Sequence, residues 1–276
     1  MDRALGLHWC RIIERAYRHA KGETIHMKKI IHGFLMLATM TYAVSMNAQT
    51  TPPTTAAEPA PTAEEIVSKY VAAIGGQDAI SKVKSVYTES SIAMMGGDNP
   101  STTTVVDGVG FKNETDFNGT KIVQCFTDKG GWSINPMAGA ASPTPMPEDI
   151  YNAGKGQINV GGPLYDYAAK GNKIELFGKE GNAWKIKLTS KENVESTYLI
   201  DATSFLVTSV KTKGKMQDQD VDITTKLSDY RKTDAGFLVP YSMDIDLGGQ
   251  FALTVTVKKV ELNKTIDPAI FEMPKS

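Results

Sequence analysis

The sequence predicts a mainly β fold with one N-terminal helix: an incomplete antiparallel barrel, its sheet curved around that helix and around a lid-like insert. Three observations carry this. A capped amphipathic stretch opens the domain at Thr62. From Ser85 onward apolar residues recur with period two, the mark of strands. The connections between these runs are short, Gly- and Asn-rich turns such as Asn118-Gly119, Gly181-Asn182 and Gly248-Gly249. Connections of that length exclude helical crossovers and hence parallel topology.

The segment 1–26 differs in composition from all that follows 49 and reads as an upstream start, with Met27 as the true initiator. Residues 27–48 read as a signal peptide. Lys28 and Lys29 precede an apolar run from Ile30 to Val44, shorter than the ~20 residues of a membrane span. Cleavage after Ala48 leaves Gln49 first and no span behind, so an exported, periplasmic product is expected, peripheral to the outer membrane if it meets one. Residues 49–62, rich in Thr, Ala and Pro, form a flexible tether.

The domain proper covers 63–276. Thr62 and Glu65 have the spacing of a capping box, and Ile66, Val67, Tyr70, Val71 and Ile74 make one helical stripe that Gly75-Gly76 ends. A short second helix is expected over Asp78 to Val83. Candidate strands are 85–95, 102–116, 120–127, 130–135, 173–178, 183–190, 194–200, 205–213, 219–230, 237–247 and 250–262. Trp184, Ile186 and Leu188 alternate with Lys185 and Lys187, giving a sheet with one solvated face. Between them, 136–172 breaks the pattern. Pro136, Pro143, Pro145 and Pro147 bracket Met137, three alanines and Met146, which predicts an irregular apolar loop, followed by short helical turns from Glu148.

Composition excludes several chemistries. Without 1–48 the chain holds no histidine, a single arginine (Arg231), and 23 basic against 28 acidic residues, a formal charge of −5. The commonest general base and zinc ligand is thus missing, and so are the guanidinium forks that favour nucleic acid. Cys125 is the sole remaining cysteine and reads as a buried, inert thiol. The run Asp218-Gln219-Asp220-Val221-Asp222 fails as a calcium loop, since Ile223 stands where glycine is needed and Asp229 where glutamate is. Ser81-Lys82-Val83-Lys84 matches a serine-acylase tetrapeptide without its companion motifs, and the glycines from Gly154 to Gly162 match no phosphate loop. No metal and no cofactor are expected. A hydrolase working with paired carboxylates stays open as a third reading.

A sheet of roughly ten strands must be covered, curled or closed. With one helix and one insert available, a half-open barrel with an apolar concavity is the simplest solution, suited to a lipid-like ligand. The alternative is an interior filled by helix and side chains, leaving a structural or interaction module of the envelope.

Several strings resemble the outer-membrane lipoprotein-sorting family. They are Gly161-Gly162-Pro163-Leu164-Tyr165-Asp166-Tyr167, the Trp184–Leu188 strand, Tyr198-Leu199-Ile200-Asp201-Ala202-Thr203, and the closing Asp229-Tyr230-Arg231, Val239-Pro240-Tyr241 and Phe271-Glu272-Met273-Pro274. The resemblance implies a LolA/LolB-like half-barrel, closed by helices, that holds acyl chains without catalysis. It implies as partners a lipid or lipoprotein acyl chain and a protein of the envelope. The carriers use an arginine on an early strand to govern opening; here the early strands hold none, and Arg231 lies late. The candidate cavity and lid residues are Trp132, Met137, Met146, Leu164, Tyr165 and Trp184.

Overall fold

Thr62 does cap the first helix, α1 (Ala63–Ala73). Its Oγ1 accepts from the Glu65 amide at 3.2 Å, and Glu65 Oε2 accepts from the Thr62 amide at 2.9 Å. The computed structural model describes residues 60–275 apart from Met95, Gln217 and Asp218. The expected upstream start, signal peptide and most of the tether lie outside the described residues, as does Asp218 of the acidic run. A tight turn links α1 to α2 (Gly76–Ser81). At this turn Gly75 has φ 128°, and a Cβ on it would stand 2.9 Å from the Gly236 carbonyl oxygen, so glycine is required on both counts.

Thirteen strands follow. The first six are β1 (Ser85–Met94), β2 (Gly97–Val106), β3 (Gly110–Phe117), β4 (Thr120–Thr127), β5 (Gly131–Asn135) and β6 (Ala140–Pro145). After α3 (Glu148–Gly154) come β7 (Lys173–Glu180), β8 (Ala183–Thr189), β9 (Glu195–Asp201), β10 (Val207–Met216), β11 (Gln219–Lys232), β12 (Leu238–Leu247) and β13 (Phe251–Leu262). All pair antiparallel in one open sheet of order 6-5-4-3-2-1-13-12-11-10-9-8-7. It is therefore two meanders joined where β1 pairs β13. Its free edges, β6 and β7, are consecutive in the chain, and the insert between them connects one edge to the other.

Two expectations about strands are corrected. The stretch 102–116 is not one strand: the turn at Asp107-Gly108, with Gly108 at φ 70°, divides it into β2 and β3. Residues 140–145 are not an irregular loop but β6, an edge strand. There the missing amides of Pro143 and Pro145 cost little, because an edge leaves half its groups unpaired anyway.

Register assigns the faces. Ile186, Tyr198, Val210, Thr225, Ile245 and Leu253 are paired in succession and so share one face. Helix α1 packs on that face at its β8–β10 end, where Ile66 and Val67 meet Leu164, Ile186, Leu188, Tyr198 and Ile200. On the other face, near β3–β5, the C-terminal turn Pro268–Phe271 covers Val123, Cys125 and Trp132. The Phe271 carbonyl accepts from Trp132 Nε1 at 2.8 Å and from Cys125 Sγ at 3.4 Å.

Candidate functional site

The insert is a strap that draws the two ends of the sheet toward each other. On the first half, Tyr151 Oη donates to the Thr127 carbonyl at 2.9 Å and the Val160 amide to Asp107 Oδ1 at 3.0 Å. Gly154 of α3 lies against the Phe126 ring. On the second half, Lys155 Nζ sits 2.6 Å from Glu192 Oε1, and Leu164 is buried beside Ile186. One short element thus touches β4 and β8 on the same face, so that face is concave. A cleft of about 330 Å³ opens between strap and sheet, with Gly108, Tyr151, Lys155, Leu188, Glu192 and Ser196 among its walls.

Charges around the strap are engaged. Burial pulls the Glu192 carboxyl up, but hydrogen bonds from Lys155 and Ser190 outweigh it and leave its pKa below the ordinary value. Burial lowers the Lys170 ammonium, opposed by Asp166 and Asp107; it donates to the carbonyls of Gly162 and Tyr165.

The concave face itself is free of charge along its central strands. Its inward side chains are Ser90 and Ile92 on β1, Asn99, Ser101 and Thr103 on β2, and Asn113 and Thr115 on β3. From the other meander come Val210 and Thr212, Ile223, Thr225 and Leu227, Met243, Ile245 and Leu247, and Leu253, Val255 and Val257. The alternate positions, pointing outward, carry Glu89, Lys112, Glu114, Lys211, Asp222, Asp244 and Asp246, with ion pairs such as Lys211–Asp222 at 2.8 Å. The inward polar groups on β2 and β3 satisfy one another: Asn113 Nδ2 donates to Ser101 Oγ at 3.0 Å and Thr103 Oγ1 at 2.9 Å, and accepts from Thr115 at 3.1 Å.

Toward β11–β13 the same face is apolar, and no described helix or loop packs on it. Ile223 pairs with Leu247, Ile245 with Leu253, and Val255 with both Met243 and Ile92. All are half-buried, and none belongs to the three packed clusters of the domain. Three phenols stand near α1: Tyr70 on the helix itself, Tyr198 on β9 and Tyr230 on β11. Burial pushes Tyr70 up to about 12, and it raises Tyr198 and Tyr230 still higher, with Tyr70 adding to both. Tyr230 Oη donates to the Val207 carbonyl at 2.8 Å.

The six residues expected from sequence are not brought together. Leu164 is buried and Trp184 half-buried in the α1 cluster, and Tyr165 packs in the adjoining cluster around Ile74 and Phe237. Trp132 points outward, away from the cavity: strand alternation turns Phe126 inward and hence Cys125 and its partner Trp132 outward. Met146 packs against Gly131 at the β6 edge, and Met137 is 65 % exposed in the β5–β6 turn. The residues that sequence reading missed are Met243, Ile245, Leu253 and Val255. Their signal was the period-two pattern of β12 and β13, visible but equally consistent with an ordinary covered face. Among the described residues no group of three His, Cys, Asp or Glu side chains is placed to hold a metal ion.

No protein-family model and no curated protein matches the chain. Solved structures do. A DUF1329 family protein from Desulfovibrio piger aligns with TM-score 0.52 at 14 % identity, covering 76 % of this chain and 97 % of that one. A LolA superfamily protein from Nitrosomonas europaea aligns with TM-score 0.52 at 11 % identity, covering 77 % and 98 %. At such identities the likeness is one of architecture alone, an open antiparallel sheet with few helices.

Proposed function

We propose that this chain is an exported, non-enzymatic protein of the bacterial envelope that binds the acyl chain of a lipid or lipoprotein on its concave sheet face. The charge-free strip from Ile223 to Val255, outside the packed clusters of the described residues, is the observation that carries the reading. An acyl chain removing about 200 Å² of apolar surface from water gains about 5 kcal/mol, without any directional contact. The ion pairs of the outward positions keep the other face wet, so the apolar ligand has one side to choose. The LolA-superfamily fold supports the same reading, and among the described residues no helix is long and apolar enough to cross a membrane.

A second reading, an envelope interaction module with a filled interior, is favoured by one observation: α1 packs on the face at β8–β10. One experiment separates them. Protein recovered from the periplasmic fraction of its native host is extracted with organic solvent, and the extract is analysed by mass spectrometry. Acyl lipid near one equivalent per chain is the expected result. Absence of lipid, together with no saturable change in Trp184 fluorescence on titration with acyl ligands, would favour the filled interior.

A further inference from the structure

The concave face holds polar groups that the fold itself does not use. Tyr198, on β9, is 7 % exposed, and Tyr70 faces it from α1. Neither phenol makes a hydrogen bond to any described residue, unlike Tyr230, whose hydroxyl is taken by Val207. Neither oxygen is sealed, since the one sealed and unpartnered side-chain oxygen among the described residues is Ser91 Oγ. Among the described residues both donors are therefore without a partner, where α1 meets the concave face. A buried hydroxyl without a partner is unfavourable, and a phenol normally finds one. Thr225, half-buried, stands two strands away in the same cross-strand row, about 10 Å along the sheet, where the apolar strip begins.

We infer that Tyr70 and Tyr198 form an uncharged hydrogen-bonding subsite that receives the carbonyl of an acyl ester or amide, so that the protein selects neutral acyl ligands over free carboxylates. The inference rests on the acyl-binding reading above and specifies the head of that ligand. Both phenols are neutral donors at any physiological pH, because burial holds them far above their ordinary value. Among the described residues, Lys69, next to Tyr70 on α1, lies over the Phe205 ring at 5.0 Å. The central inward positions carry no cation, Lys155 is engaged by Glu192, and Lys170 is engaged by two carbonyls. A fatty-acid anion drawn in among them would lose its hydration without compensation. An ester presents only acceptors, which is what two free O–H groups require.

Delipidated wild-type protein and the Tyr70→Phe/Tyr198→Phe double variant are titrated calorimetrically with lauroyl glycerol and with laurate at pH 8. Wild type is expected to bind lauroyl glycerol at least about tenfold more tightly than laurate. The double variant is expected to lose about fivefold or more in lauroyl glycerol affinity, the scale of a net hydrogen bond, with little change toward laurate. Its melting temperature should hold or rise, since the hydroxyls bond to nothing in the free protein; that readout separates a lost subsite from a damaged fold. Laurate binding as tightly as the ester, or a double variant with wild-type ester affinity, overturns the subsite while leaving acyl binding intact. Binding of neither ligand overturns both the subsite and the acyl-binding reading.

Discussion

Gly154 shows how little room the strap has. A Cβ on it would lie 2.3 Å from two carbons of the Phe126 ring, and its backbone is in the right-handed region, so the constraint is purely steric. Gly154→Ala is expected to destabilise the domain by about 1–3 kcal/mol, the usual cost of overpacking, read as a lower midpoint in urea. Adding Phe126→Leu should return part of it. From sequence, Gly154 was one of several glycines with no recognisable spacing, because a close approach between residues almost thirty positions apart leaves no local trace. Cys125 is the opposite case. An inert thiol was legible in its apolar strand, and burial indeed pushes it up to about 12, Lys112 opposing only in part.

At the scale of elements, β13 tests the assignment of faces. Val255 points into the concave strip beside Ile92 and Met243, while its neighbour Thr256 is exposed on the other side. Val255→Glu is expected to abolish acyl-ligand binding and to cost about 1–3 kcal/mol of stability, because it sets a charge in an apolar strip. Thr256→Glu should leave binding at the wild-type level. Equal effects of the two on ligand titration would mean that the strip is not the binding surface. Most strands were readable because alternation is set by the pleat of the backbone itself. The division of β2 from β3 is legible in Asp107-Gly108, a turn pair inside an otherwise continuous strand pattern. β6 was not legible: Pro143 and Pro145 argue against any strand, until it is known that this one has a single neighbour.

At the scale of the domain, the pair Lys155–Glu192 ties the strap to the turn between β8 and β9. The folded pKa of Glu192 lies below its ordinary value, with burial opposing and the bonds from Lys155 and Ser190 prevailing. A depressed carboxyl stabilises the fold fully above its unfolded pKa, near 4.5, and this contribution is lost as the pH falls through the folded value. Wild type is therefore expected to lose melting temperature below about pH 4.5 more steeply than Glu192→Gln, with the variant the less stable of the two at pH 7. Parallel curves would show that the pair contributes nothing to holding the strap.

By itself the sequence determined the β-rich class, the capped helix at Thr62, the antiparallel order of neighbours and a domain without histidine after residue 48. Each is a local property, written in a period of two or 3.6, in turn residues or in composition. Tertiary structure alone decided which side of each apolar strand faces the cavity. Trp132 illustrates the reason. Its strand alternates Trp132 and Ile134 with Gly131 and Ser133, a pattern that does not say which side is the cavity, and its indole is claimed by the carbonyl of Phe271, 139 residues further along the chain. Likewise Tyr70 and Tyr198 read as two unremarkable core aromatics until α1 and β9 meet and leave both hydroxyls without a partner among the described residues. Which groups remain unsatisfied is a property of the whole packing, and no window of sequence contains it.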